Sequence, residues 1–203
     1  MQKLYRYLPH RIRLRSGAAR RRTIALYLIL PIIAAGCAGD APQETKTAAD
    51  CIEGGELSAT IVGSIESELR WLEDALECDG MPRPHGQGAR LHFAGPATSR
   101  GENLRLAFII ALPDLMEGDS ANELPAGVTL IDETAARFFS TPDAPSCWAD
   151  IEQQQQLEDL PDAQYRIEGL LYCVSPLAEV NGGASVTFTD LRFAGRLSWQ
   201  KPE

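Results

Sequence analysis

Histidine is rare in this chain, and several motifs that bind nucleotides or activate nucleophiles are missing. Only three of the 203 residues are histidine, and only His85 and His92 follow residue 22. A serine nucleophile needs a general base beside it, and no histidine follows His92. The P-loop, the Gly-x-Gly-x-x-Gly loop and the Gly-x-Ser-x-Gly elbow do not occur. The sequence therefore lacks the parts of nucleotide-binding and acyl-transfer sites.

Long apolar runs are also missing. The longest covers residues 23–36, which are 14 residues including Pro31, whereas a membrane-spanning helix needs about 20 apolar residues. Eight Lys and Arg residues and no acidic residue precede this run. A basic leader, a short apolar segment and small residues before a cut site are typical of a secretory signal.

The apolar run ends in Ala34-Ala35-Gly36-Cys37. This ending resembles the lipobox of a bacterial lipoprotein signal peptide, although Ala34 stands where such motifs usually carry leucine. The resemblance implies that residues 1–36 are a cleaved signal peptide and that Cys37 carries a diacylglycerol thioether and a further acyl chain such as palmitate. One acyl chain binds a membrane reversibly, whereas several hold it effectively permanently. An ordinary secretory signal and an uncleaved anchor are the alternatives.

The same resemblance implies an address in the cell envelope. Ala38 follows the cysteine, where retention in the inner membrane of enteric bacteria favours aspartate. We therefore expect the outer membrane, with the domain facing the periplasm. The expected partners are the membrane, through the lipid on Cys37, and an unidentified envelope protein. Residues 37–55 lack apolar periodicity, which predicts a flexible linker between the lipidated cysteine and the domain.

Acidic residues dominate once the leader is set aside. The leader holds 8 of the 19 basic residues and none of the 28 acidic ones, which leaves 11 basic and 28 acidic residues after residue 36. Their formal charge is −17. Nucleic acid is bound through basic patches, and no cluster of Lys and Arg follows Arg22. We therefore expect no nucleic-acid partner.

The cysteines after Cys37 predict two disulfides, because their number is even in a chain that is expected to be exported. They are Cys51, Cys78, Cys147 and Cys173. If residues 146–152 and 165–174 form an antiparallel hairpin that turns near residues 160–161, the numbers of facing residues sum to about 320. Cys147 and Cys173 meet this condition, which leaves Cys51 to pair with Cys78.

Apolar and polar residues alternate with a period of two through most of residues 56–203, which predicts one all-β domain. Asn181-Gly182-Gly183 predicts a hairpin turn, and a change of parity in the last strand predicts a β-bulge near Asp190. Residues 64–77 also fit a helical face, so a helix is the alternative there. The predicted strands are 56–63, 64–77, 90–94, 103–112, 128–131, 137–140, 146–152, 165–174 and 184–199.

Eight or nine short antiparallel strands are typical of a β-sandwich or a flattened barrel. The loops between them are predicted at residues 79–88 and 113–127, from the density of Gly and Pro and of acidic residues. The glutamine run 153–156 is interpreted as a strand end or a loop, with a short helix over 149–160 as the alternative.

No residue is predicted to be catalytic, and no cofactor is expected. His92 should point to solvent from its strand, and His85 lies in a Gly/Pro loop. The acidic loop offers oxygen ligands that a calcium ion could use, but their spacing matches no EF-hand, so a solvated loop is preferred. These weak metal candidates are Asp114, Glu117, Asp119 and Glu123.

Three functional hypotheses follow. The first is a lipid-anchored cell-envelope protein whose β-sandwich is a non-catalytic interaction or structural module. The second is a periplasmic binding module for calcium, a sugar or an apolar ligand. The third is a hydrolase that uses carboxylates. A flat apolar patch would favour the first, a deep pocket with polar groups the second, and a buried pair of carboxylates the third.

Overall fold

Buried and exposed side chains alternate along the strands, as the period-two pattern predicts. The computed structural model describes residues 51–84, 87–142, 145–158 and 163–199, and this part of the chain is all-β. It contains a single short 3-10 helix, Glu73–Ala75, and no helix long and apolar enough to cross a bilayer. The strands are β1 (Glu56–Gly63), β2 (Ser67–Leu72), β3 (Glu77–Pro82), β4 (Ala89–Ser99), β5 (Glu102–Leu112), β6 (Ala121–Asp132), β7 (Arg137–Ser140), β8 (Cys147–Gln156), β9 (Gln164–Cys173), β10 (Leu177–Glu179) and β11 (Ser185–Ser198).

All strand pairs are antiparallel and belong to one sheet, which runs β2-β1-β11-β10-β7-β6-β5-β4-β3. Strands β9 and β8 form a second connection between β11 and β6. The two longest strands therefore pair with different neighbours along their length. The sheet encloses one core in the manner of a sandwich or flattened barrel, as predicted.

Aromatic side chains fill the core from opposite sides. Phe93 of β4 and Phe193 of β11 have ring centroids 5.5 Å apart, and Phe108 of β5 lies 5.8 Å from Phe188 of β11. Trp71 of β2 contacts Phe108 with a centroid distance of 6.4 Å. Strands β4 and β5 thus lie across the core from β11 and β2. Aromatic pairs in such edge-to-face arrangements stabilise a core by about 0.5–1.5 kcal/mol beyond their burial.

The β8–β9 hairpin has the predicted register. Cys147 is directly opposite Cys173, and the facing pairs continue in this register to Ile151 and Gly169 before a one-residue shift. The two cysteines form a disulfide, and Cys51 forms the other with Cys78. Both bridges have the partners that the register argument predicts.

The domain begins earlier than the predicted linker boundary at residue 55. The amide of Cys51 donates to the carbonyl of Leu76 at 3.1 Å, and its sulfur joins β3. The guanidinium of Arg166 donates to the carbonyl oxygens of Glu53 and Gly54 at 2.9 and 2.8 Å. Residues 51–55 are therefore fastened to the sheet and do not belong to a flexible linker.

Four local predictions need correction or a choice between alternatives. The loop predicted at 79–88 is partly strand, because β3 pairs with β4 through residues that include Gly80 and Pro82. The loop predicted at 113–127 ends where β6 begins, at Ala121. Residues 64–77 contain β2, the 3-10 helix and the start of β3, so the helix alternative is wrong. The glutamine run lies within β8, and the helix alternative over 149–160 is also wrong in the described residues.

Candidate functional site: a charged groove and a neutral strip

A row of polar side chains crosses the outer face of β2, β1 and β11. Leu57, Ala59 and Ile61 of β1 point into the core, so the residues between them point outward. Ser58 is opposite Arg70 on β2 and opposite Arg192 on β11. The two arginines therefore flank one serine, with α-carbons about 10 Å apart given the spacing of neighbouring strands.

A second row lies two residues further along the same strands. Thr60 is opposite Glu68 on β2 and Thr189 on β11, and Asp190 follows Thr189. Glu68 is therefore directly beside Thr60, whereas Asp190 lies one residue beyond the partner of Thr60 on β11 and also lines the groove. The two rows are about 7 Å apart along the strands.

The predicted β-bulge is present at Asp190. Two residues of β11, Asp190 and Leu191, face the single residue Ala59 of β1, and the register shifts by one. Asp190 has a φ of 54°, in the left-handed region that residues other than glycine rarely adopt. Such a bulge bends a strand and redirects the side chains next to it. Here it places an exposed carboxylate at the wall of the groove.

These rows line an open groove of about 560 Å³ over β1. Its walls are β2 and the bulge of β11, and its floor includes Ser58 and Thr60, with Glu56 at one end. Within the described ranges, the ion pairs involve Arg100, Arg105, Arg137 and Arg166, and none includes a groove residue. The groove therefore presents two guanidinium groups and three carboxylates that are exposed and form no ion pair with one another.

A second cleft, of about 410 Å³, lies on the other side of β2, between this strand and β4. The indole nitrogen of Trp71 donates to the carbonyl of Pro96 at 2.6 Å, and the amide of Glu66 donates to the hydroxyl of Ser99 at 3.1 Å. Side chains thus join β2 to β4 where these strands share no ladder of backbone hydrogen bonds. The edge strand β2 is consequently flanked by a cleft on each side.

A different surface lies on the outer face of β5, β6 and β7. Ala107, Ile131 and Phe138 face each other across these strands, and so do Ile109, Thr129 and Ser140. Along β6 the outward positions continue to Pro125, which is opposite Trp148 on β8. We call this surface the neutral strip. Ala107 at its edge is fully buried, and the members that solvent reaches at least in part are Ile109, Ala111, Pro125, Gly127, Thr129, Ile131, Phe138, Ser140 and Trp148.

The neutral strip has no ionisable side chain, and its aromatic members are accessible. Phe138 is 45% exposed, and Trp148 is half-buried in a stack on Tyr172, with ring centroids 6.2 Å apart. A shallow groove of about 180 Å³ beside Gly127 is lined by four prolines, among them Pro113 and Pro142. The strip follows β6 for about 20 Å, from Ile131 to Pro125.

Ion pairs border the neutral strip at one end. Arg105 on β5 pairs with Glu77 on β3 at 2.6 Å and with Glu133 at 2.7 Å. Because Glu77 is opposite Ala94 and Arg105 is opposite Pro96, the first pair crosses β4 on its outer face. Ala94 is fully buried beneath this region although it lies on the outer face.

His92 lies on β4 between Asp79 of β3 and Ile109 of the neutral strip, so an ionisable residue also flanks the strip along its side. It is on the outer face, as predicted, but it is half-buried and therefore not fully solvated. Burial is the main cause that lowers the pKa of His92 below 6.5, and Arg105 acts in the same direction. The carboxylates of Glu133, Asp79 and Glu77 oppose this effect because they favour the charged imidazolium.

The weak metal candidates are held apart. Asp114, Glu117 and Asp119 are exposed in the turn after β5, and the carboxylate of Glu117 accepts a hydrogen bond from Tyr165 at 3.0 Å. Glu123 lies in β6, where its amide donates to Asp150 at 2.7 Å. No three potential ligands converge on one point among the residues that the structure describes.

The acidic turn is organised by Gln154, from the glutamine run. Its amide nitrogen donates to the carbonyls of Met116 and Asp119 at 2.8 and 2.6 Å. Its amide oxygen accepts from the amide of Gly118 at 3.4 Å and from the indole of Trp199 at 3.0 Å. Gln154 is thus a structural residue that the sequence did not single out.

Cys37 and His85, which the sequence singled out, lie outside the described residues. The groove residues were not predicted, because β1 and β11 lie at opposite ends of the domain sequence and only their pairing brings the charges together. The available signal was the alternation of Glu68 with Arg70 and of Asp190 with Arg192 on predicted strands. Comparisons with models of protein families, with curated proteins and with solved structures find no match for this chain.

Proposed function

We propose that this is a lipid-anchored protein of the cell envelope whose β-domain is a non-catalytic module that binds another envelope protein through the neutral strip. The observation that carries the proposal is the composition of this strip. A chain with a charge of −17 after residue 36 has a continuous outer sheet surface without an ionisable group. Contiguous apolar surfaces rimmed by polar residues often mark interaction sites.

The anchor is the part of the proposal that comes from the resemblance to lipoprotein signals. An acylated Cys37 would attach the chain to the outer membrane, with the domain in the periplasm. A segment as long as residues 38–50 spans at most about 45 Å. Residues 51–55 are fixed by Arg166 and by the Cys51–Cys78 bridge, so the tether would enter the domain at a defined point.

Mass spectrometry of the purified protein tests the anchor. The expected product begins at Cys37 and carries the mass of a diacylglycerol and an amide-linked acyl chain. A Cys37→Ser variant should lose this mass and leave the membrane fraction, while its unfolding transition stays the same. An intact amino terminus, or an unmodified sulfur on Cys37, would contradict the anchor without bearing on the strip.

Site-specific crosslinking tests the strip. A photo-reactive phenylalanine analogue replaces Phe138 in one variant and the exposed Glu102 in the matched control. We expect a discrete crosslinked product from position 138 only, and its loss when Thr129→Arg introduces a charge into the strip. A product that survives Thr129→Arg, or that forms equally from position 102, would show that the strip is not the binding surface.

The described residues offer less support for a hydrolase. Asp132 is the buried carboxylate there, and its Oδ1 accepts the amides of Thr134 and Ala135 at 3.1 and 3.0 Å, which is the role of a turn residue. The second hypothesis, a ligand-binding module, is favoured by one specific observation, which is the charged groove over β1.

A further inference from the structure

We propose that the groove over β1 binds a zwitterion, whose carboxylate lies between Arg70 and Arg192 and whose ammonium lies between Glu68 and Asp190. A free dipeptide is the simplest molecule of this class. The groove is on a different face from the neutral strip, so this inference does not depend on the proposed partner or on the anchor.

The arginine row suits a carboxylate. Arg70 and Arg192 face the same serine from opposite sides, and neither has an ion-pair partner among the described residues. A guanidinium presents a planar fork of donors that matches the two oxygens of a carboxylate. The hydroxyl of Ser58 between them is a further donor.

The acidic row suits an ammonium group. Glu68 is opposite Thr60 on β2, and the bulge residue Asp190 follows Thr189, which is opposite Thr60 on β11. Both carboxylates are exposed and line the groove. An ammonium group has three donors and no acceptor, so two carboxylates and a threonine hydroxyl can satisfy it. Glu56 lies beyond the arginine row and would repel a second negative charge on the ligand. This favours a single carboxylate over a doubly charged phosphate.

The spacing of the rows matches a dipeptide. The two rows are about 7 Å apart. The amino nitrogen and the carboxylate carbon of an extended dipeptide are about 6 Å apart, from standard backbone dimensions. The groove, of about 560 Å³, has room for such a molecule and its side chains.

Protection of a sheet edge is the alternative explanation for these charges. Charged side chains on edge strands prevent unwanted pairing, and β2 is an edge strand. This accounts for Glu68 and Arg70. It does not account for Asp190 and Arg192, because β11 is an interior strand that pairs with β1 on one side and with β9 and β10 on the other.

Calorimetric titration of the full-length chain in detergent tests the inference with four probes. Glycylglycine carries both charges, acetylglycylglycine only the carboxylate, glycylglycinamide only the ammonium, and acetylglycylglycinamide neither. We expect glycylglycine to bind at least about 10-fold more tightly than either singly charged probe, because each loses charge-assisted hydrogen bonds.

Two variants assign the ends of the ligand. Arg192→Gln should weaken glycylglycine about 10-fold but leave glycylglycinamide nearly unchanged, because the amide lacks the carboxylate. Glu68→Gln should do the reverse, weakening glycylglycine and sparing acetylglycylglycine. Arg90→Gln and Glu102→Gln, at exposed positions outside the groove, are the matched controls and should change nothing. A purely structural role of Arg192 would weaken all probes alike.

Three results would overturn the inference. The first is the absence of saturable binding of glycylglycine up to about 20 mM, because a dissociation constant above this concentration is too weak for a specific site. The second is equal binding of the uncharged probe. The third is tighter binding of phosphoethanolamine than of glycylglycine, which would assign the arginine row to a phosphate and so to a different ligand class.

Discussion

Gly95 of β4 lies against the indole ring of Trp71 of β2, across the gap where these two strands share no backbone ladder. A β-carbon at position 95 would come within 2.7 Å of two indole carbons and 2.9 Å of the carbonyl oxygen of Ala75. The same indole donates its N–H to the carbonyl of Pro96. The contact between Gly95 and Trp71 therefore closes the space between the edge strand β2 and β4.

Gly95→Ala should destabilise the domain by about 1–3 kcal/mol, because the added methyl group must displace a buried ring or backbone. Gly127→Ala is the matched control, since a β-carbon there would meet only the methyl group of Ala111 at 3.6 Å, an ordinary contact. Urea unfolding followed by tryptophan fluorescence measures both. Equal midpoints for the two variants would mean that β2 and β4 can move apart enough to admit a methyl group.

Gln154→Glu should destabilise the domain by about 1–3 kcal/mol, although the two side chains have the same shape. The variant replaces the N–H donors that face the carbonyls of Met116 and Asp119 with an acceptor oxygen, which leaves those carbonyls without their partner. Gln156→Glu, an exposed position on the same strand, adds the same charge without this loss and is the control. Similar unfolding midpoints for both variants would contradict the assigned role.

Removal of either disulfide should cost a similar amount of stability. The bridges close loops with sequence separations of 27 and 26 residues, for which chain entropy gives about 3.5 kcal/mol each. The double variants Cys51→Ala/Cys78→Ala and Cys147→Ala/Cys173→Ala test this by urea unfolding. A much larger loss for the first pair would contradict this and would mean that the hydrogen bonds of residues 51–55 to Leu76 and Arg166 are lost together with the bridge.

His92 should make the domain less stable as the pH falls. Its pKa in the folded domain is below the ordinary value of 6.5, so the unfolded chain binds this proton more readily. The stabilising contribution is complete above pH 6.5 and is lost as the pH falls through 6.5 towards the folded pKa. The unfolding free energy of His92→Gln should therefore decline less between about pH 7.5 and about pH 5.5 (about one unit on either side of the ordinary pKa) than that of the unaltered protein. Parallel pH profiles would contradict this.

Local patterns were sufficient to predict the strands that alternate cleanly. Residues 56–63 and 137–140 match β1 and β7 at both ends, since each alternates between core and solvent. The disulfide pairing followed from one hairpin register. Patterns failed at β3, where Gly80 and Pro82 indicate a loop. That strand depends on pairing with β4 and on the bridge to Cys51, which are non-local.

The groove illustrates the same limit for function. Each of its charges, taken alone, indicates only a solvated face, and the acidic loop with the most carboxylates carries no converging site among the described residues. What makes the groove a candidate is the alignment of Arg70 with Arg192 through Ser58. That alignment depends on the register of three strands, which no single stretch of the sequence contains. The bulge at Asp190 was predicted from the change of parity in the last strand, but the residues that it faces were not.

The bulge at Asp190 supports a last prediction, because it determines which side of β11 faces the core. Before it, Val186 and Phe188 point inward, and after it Leu191 and Phe193 do. Deleting Asp190 would remove the extra residue, so that Val186, Phe188, Leu191 and Phe193 would alternate regularly and all keep pointing inward without a bulge. We therefore expect the deletion variant to fold, with β1 and β11 in one continuous register and no apolar side chain moved out of the core.

Asp190→Gly keeps the bulged residue but removes its side chain, so this variant tests the backbone bulge alone. Glycine adopts the φ of 54° without strain, so this variant should unfold within about 1 kcal/mol of the unaltered protein. Asp190→Val should be destabilised by about 1–2 kcal/mol, because a β-branched residue is strained in the left-handed region. Circular dichroism and urea unfolding of the three variants give the order. If the deletion variant failed to fold while Asp190→Gly folded, the two halves of β11 would be unable to close the gap left by the bulged residue, and the extra residue would itself be required by the fold.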